Sequence, residues 1–131
     1  MTDDEFLRAF LDGWPVEARF GHLDHLRAAW LVTARRGLEE AFEIIGDRLR
    51  RMAAAQGKPE VYNETMTRFW IRFVGHVREG GAPLESVDQA VARVPLLLDR
   101  GLPFRHWSRE LMFSAGARAG WIEPDLRPLT L

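Results

Sequence analysis

Apolar residues recur at intervals of three and four along most of this chain, and a glycine usually ends each recurring segment. This spacing places apolar side chains on one face of an α-helix. The clearest run, which ends at Gly57, consists of Leu38, Phe42, Ile45, Leu49 and Met52. No segment shows the alternation of apolar and polar residues that is typical of a strand. The spacing therefore predicts an all-α fold.

The same spacing, with its caps and breaks, predicts the helices one by one. We expect them at Thr2 or Asp3 to about Asp12, Glu17 or His22 to Arg36, Leu38 to about Gln56, Asn63 to about Glu79, a weaker one from Pro83, Leu96 to Arg100, Trp107 to Phe113, and Ala115 to Gly120. Gly37 joins two of them so closely that they must be antiparallel or sharply angled. The last residues, IEPDLRPLTL, contain two prolines and predict an extended tail. Residues 1–131 are thus expected to form a single irregular helical bundle of about five to seven helices.

Composition excludes several functional classes. Hydrophobic residues make up 47% and charged residues 28%, which is typical of a soluble globular protein. The net charge is −1 and no basic run is present, so neither a nucleic acid nor a membrane surface is the expected partner. Without cysteine, a metal would need nitrogen and oxygen ligands. An acidic start and the lack of an apolar stretch of about 20 residues predict a cytoplasmic protein.

Two histidines begin the second helix, in the stretch FGHLDHLRAAW. His22 and His25 lie one turn apart, so both imidazoles can converge on one ion or substrate. A helical projection places His22 inward with Leu23 and Trp30, Ala28 on the opposite face, and His25 at the border. The alternative is a hydrogen-bonded core histidine followed by a surface histidine.

A second polar group stands at the start of the fourth helix. Asn63 and Thr67 project onto the same face as Trp70, and Asn63 would meet His22 if the two helices pack together. Capping is the simpler role for Asn63, and the helix dipole alone accounts for Glu64 in the first turn. Tyr62 supplies a phenol beside the group, for a ligand or for packing.

The motifs FGHLDHLRAAWLV, YNETMTRFW and SRELMFSAGARAGWIEPDLRPL together resemble, in order and spacing, a bacterial family of small all-α proteins of uncertain function. The resemblance covers Phe6 to Leu129. It implies a pocket of histidines and carboxylates, which here correspond to His22, His25, Asn63 and Glu64. The family has histidine where this chain has Asn63, and a neutral amide is a poor ligand for zinc, copper or iron.

Two functional hypotheses follow. In the first, a small enzyme acts on a small molecule, with a divalent ion such as Zn, Cu, Ni or Fe bound by His22, His25 and Glu64, or with these residues moving protons. The remaining pocket residues in this hypothesis are Trp30, Tyr62, Asn63, Thr67 and Trp70. In the second, the chain is a non-catalytic module that binds a ligand or partner, with structural histidines. A homodimer fits either hypothesis.

The remaining polar candidates have simpler predicted roles. His76 and His106 are expected to be exposed. A network of ion pairs and backbone hydrogen bonds is expected to hold the tail, with the side chains of Arg118, Glu123, Asp125 and Arg127.

Overall fold

The computed structural model describes residues 1–130 and confirms the all-α prediction, since this part of the chain contains helices and no strand. The helices are α1 (Asp3–Asp12), α2 (His22–Ala55), α3 (Glu64–Glu79), α4 (Val87–Arg93), α5 (Arg109–Met112) and α6 (Ala115–Ala119). Short 3-10 turns cover Pro59–Val61, Pro95–Leu98 and Leu102–Arg105. The segment expected as helix Leu96 to Arg100 is one of these turns. The two C-terminal helices are shorter than predicted.

Gly37 breaks α2 into two helical halves, as its position in the sequence predicts. Its backbone has φ 83° and ψ 171°, a conformation that only glycine adopts without strain. The first half begins at His22 rather than at Glu17. Gly21 precedes it, and the Asp24 carboxylate accepts the Gly21 N–H at 2.8 Å. This hydrogen bond from the N-cap backbone to a side chain in the first turn fixes the start of α2.

Helix α1 packs against the first half of α2 and changes which residues of α2 are buried. Its Phe6 and Phe10 are buried, and Asp3 forms an ion pair with Arg27 at 2.8 Å. Ala28, predicted to face solvent, is fully buried, and Leu23, predicted to face inward, is 47% exposed. The projection was wrong for both. It assumed a single buried face, whereas residues 28–32 are all buried and extend around the helix.

Helices α2 and α3 form the largest helix–helix interface. The C-terminal segments close one end of it. Thr65 on α3 donates its hydroxyl to the Gly120 carbonyl at 2.7 Å, and Trp107 is fully buried with its indole N–H on the Ile122 carbonyl at 2.8 Å. These contacts hold the chain that follows α6 against the bundle.

The C-terminal tail is held by hydrogen bonds to the segment before α5. The Leu126 N–H binds the His106 carbonyl at 2.8 Å, and the Asp125 carboxylate accepts the Ser108 N–H at 2.7 Å. The expected ion pairs are not found: within residues 1–130 Arg118, Glu123, Asp125 and Arg127 form none. His106 is half-buried rather than exposed, because one ring nitrogen contacts the Arg127 carbonyl. His76 is exposed, as predicted.

Over residues 1–130, none of the helices combines the length and the apolar character needed to cross a membrane.

Candidate functional site

A cavity of about 880 Å³ lies between α2, α3 and the segment from Arg100 to Phe113. Most of the predicted pocket residues border it. The six that do are His22, His25, Tyr62, Asn63, Thr67 and Trp70. Glu64 and Trp30 do not. The sequence thus located one wall of the cavity on α2 and another on α3.

His22 stands at the first position of α2 and is held in place by its ring. Its Nε2 lies 2.8 Å from the Leu97 carbonyl, and its ring meets the edge of Trp70 at 4.6 Å between centroids. Because a carbonyl oxygen only accepts, Nε2 carries the proton and Nδ1 is left without one in the neutral ring. Burial lowers the pKa of His22 from its usual value, and the charge of Arg100 lowers it further. His22 is therefore neutral at pH 7.

His25 follows one turn later with a less constrained ring. It packs edge-on against Phe20 at 4.8 Å and makes no hydrogen bond within residues 1–130. Burial lowers its pKa to about 4, with a smaller contribution from His22. The ring nitrogens of His25 thus have no hydrogen-bond partner within residues 1–130, and the ring is uncharged at neutral pH.

Asn63 caps α3, which confirms the simpler of the two roles considered for it. Its Oδ1 accepts the Met66 N–H at 3.0 Å, and its Nδ2 donates to the Met112 carbonyl at 2.7 Å. Both partners are backbone groups. The expected pairing of the Asn63 amide with His22 is absent, since the side chain of His22 hydrogen-bonds to Leu97 instead.

Glu64 belongs to a polar cluster that lies apart from the histidines. Its buried carboxylate accepts the Tyr62 hydroxyl at 2.5 Å, the Arg68 Nε at 2.6 Å and an Arg50 nitrogen at 3.4 Å. Burial raises the pKa of Tyr62 well above its usual value, and the hydrogen bond to Glu64 adds to this effect. Glu64 already has three hydrogen-bond partners and does not border the cavity with His22 and His25, so its action with them remains a prediction.

The backbone of α2 makes room for this cluster at Gly46. A Cβ at that position would lie 2.9 Å from the Tyr62 hydroxyl, which is closer than a side chain tolerates. The absence of a side chain therefore lets Tyr62 reach Glu64.

Trp30 lies away from the cavity. It is buried, the guanidinium of Arg78 stacks on its ring at 3.8 Å, and Arg78 also donates to the Trp30 carbonyl. The predicted aromatic wall of Trp30, Trp70 and Tyr62 is therefore corrected to Trp70 and Tyr62.

Only two of the three residues considered as metal ligands lie together at the cavity. Within residues 1–130 no group of three or more histidine, aspartate or glutamate side chains is placed to hold an ion. One nitrogen of His22 is already hydrogen-bonded to Leu97. Protein metal sites of this type usually offer at least three ligands. The metal site remains a prediction.

The cavity is also bordered by three arginines that were not predicted from the sequence. Arg19 precedes α2, Arg100 follows the turn Pro95–Leu98, and Arg109 begins α5. All three side chains are exposed. Since these arginines are far apart in the sequence and form no basic run, no local pattern identifies them as neighbours.

Comparison with models of known families, with curated proteins and with solved structures gives no significant match. The family resemblance of the three motifs remains a prediction.

Proposed function

We propose that this protein binds a small organic molecule in the cavity between α2 and α3. The observation that carries the proposal is the cavity itself, with the unpaired ring of His25 at its wall. Its volume of about 880 Å³ falls within the range of about 300–1,000 Å³ that is common for ligand sites. Apolar side chains supply much of the lining, among them Ile45, Leu49, Met52, Met66 and Ile71.

The polar groups of the cavity favour binding over proton transfer. A general base works best when its pKa lies near the working pH. With a pKa of about 4, His25 is a weak base at pH 7 but a good hydrogen-bond partner. His22 is held by Leu97 and presents its unprotonated Nδ1. The two histidines thus suit the orientation of a bound molecule better than acid–base catalysis.

The proposal is tested with a neutral fluorescent probe, N-phenyl-1-naphthylamine, and with variants that fill the cavity. Ala53→Phe and Thr67→Phe place a ring in the cavity from α2 and α3. Ala34→Phe is the matched control, because Ala34 is exposed on α2 and does not border the cavity. We expect stoichiometric binding that both filling variants weaken and the control retains.

Proton NMR of the imidazoles provides a second measurement. Binding is expected to shift the ring signals of His25 and to leave those of the exposed His76 unchanged. Probe binding that is unaffected by either filling variant, with an unchanged His25 spectrum, would overturn the proposal. Circular dichroism of each variant shows whether the helices are retained.

A further inference from the structure

The charged residues that border the cavity are all positive. Arg19, Arg100 and Arg109 border it, whereas no aspartate or glutamate does. None of the three arginines forms an ion pair within residues 1–130, although seven other arginines do. In a chain with a net charge of −1, the cavity is thus a local concentration of positive charge.

A contact holds one of these arginines at the cavity, and the charge of a second acts on the histidines. The guanidinium carbon of Arg109 lies 4.3 Å from the centre of the Phe104 ring, which also borders the cavity. The charge of Arg100 lowers the pKa of both His22 and His25, so it acts on the histidine wall. The three arginines therefore come from separate segments and border one cavity.

Three acidic residues contact residues that border the cavity. Asp24 accepts the Gly21 N–H and raises the pKa of His25, against the effect of Arg100, whereas Asp99 pairs with Arg105 and Glu64 pairs with Arg50 and Arg68. None of the three borders the cavity. A guanidinium binds carboxylate or phosphate oxygens through two parallel hydrogen bonds, and arginine is the preferred residue for this recognition.

We infer that the ligand is an amphipathic organic anion. Its carboxylate or phosphate group binds Arg19, Arg100 and Arg109, and its apolar part occupies the space lined by Trp70 and the aliphatic side chains of α2 and α3. The inference rests on the proposed function and names the class of ligand. Carboxylate and phosphate share the required chemistry, and the experiment distinguishes them.

The test uses four probes with the same chain and different head groups: decanoate, decyl phosphate, decan-1-ol and decylamine. Calorimetry on the full chain measures each Kd. Decanoate, decyl phosphate or both are expected to bind at least about tenfold more tightly than decan-1-ol, and decylamine most weakly. Raising the salt concentration should weaken only the binding of the anions.

Variants assign the effect to the cavity. Arg100→Gln and Arg109→Gln should each raise the Kd of the anionic probes about tenfold and leave that of decan-1-ol unchanged. Arg36→Gln is the control. Arg36 is exposed and pairs with Glu40, and its substitution removes the same charge at a position that does not border the cavity. An equal effect of the control would show an effect of net charge only and would overturn the inference.

The remaining outcomes separate the two proposals. Kd values for decanoate and decyl phosphate that both equal that of decan-1-ol, or tightest binding of decylamine, would overturn the anionic ligand while leaving the cavity as a binding site. Absence of binding by all four probes overturns the inference as well. The proposed function fails only if binding of the neutral naphthylamine probe is also unaffected by Ala53→Phe and by Thr67→Phe and leaves the His25 spectrum unchanged.

Discussion

Acidification should destabilise this protein between about pH 7.5 and about pH 5, and His25 should account for a defined part of the loss. The pKa of His25 is about 4 in the folded chain and about 6.5 in the unfolded chain. Because its folded pKa is lowered, His25 stabilises the fold above pH 6.5. That contribution is lost as the pH falls toward 4, since the unfolded chain binds the proton first.

The size of this effect follows from the two pKa values. At about pH 5 the unfolded imidazole is almost fully protonated and the folded one is mostly neutral, so linkage gives a loss of up to about 2 kcal/mol. Burial is the main cause, and the charges of His22 and Arg100 act in the same direction, whereas Asp24 opposes them. The ring borders an open cavity, which makes this value an upper bound.

The assay is urea unfolding at a series of pH values, followed by circular dichroism. His25→Leu removes the titrating group and should flatten the decline in unfolding free energy by about 1–2 kcal/mol over this range. His76→Gln is the control, because His76 is exposed on α3. A His25→Leu curve parallel to that of the unsubstituted chain, or an equal flattening by His76→Gln, would refute the reasoning.

Three further substitutions test the packing around the cavity by urea unfolding. Glu64→Ala should lower the free energy of unfolding by about 2–3 kcal/mol, because it leaves the Tyr62 hydroxyl without its acceptor. Asp47→Ala removes an exposed ion pair and should lower it by under about 0.5 kcal/mol. Equal losses would contradict the role given to burial. Asn63→Ala should cost about 1–2 kcal/mol through the lost cap of α3, and a neutral result would show that water replaces it. Gly37→Ala should cost about 1–3 kcal/mol, because its φ of 83° strains any other residue; an increase in stability would mean that α2 straightens.

Much of the local structure could be predicted because its causes are local. Helical spacing identified the all-α class, and an asparagine before an apolar run identified the cap of α3. Gly37 marked the break in α2 because glycine alone adopts its φ and ψ at low cost. The two histidines were correctly assigned to one side of α2, since residues three apart on a helix are neighbours.

The contacts of each side chain could not be predicted, because they depend on how the helices pack against one another. Ala28 is fully buried and Arg78 covers Trp30, so α2 is buried on more than one face. The position of Glu64 at the start of α3 made it a reasonable predicted member of one site with the histidines. Its carboxylate instead pairs with Arg50, which lies 14 residues earlier, and with Arg68 on its own helix.

The sequence by itself determined the long helices, the break at Gly37 and most of the polar residues that border the cavity, because backbone conformation and helical periodicity depend on residues that are close in the chain. Only the tertiary structure brought Arg19, Arg100 and Arg109 to the mouth of one cavity. These residues lie in separate segments, and their proximity results from how α2, α3 and the chain that follows them pack. The charge of the cavity, and with it the proposed class of ligand, is therefore a property of the fold.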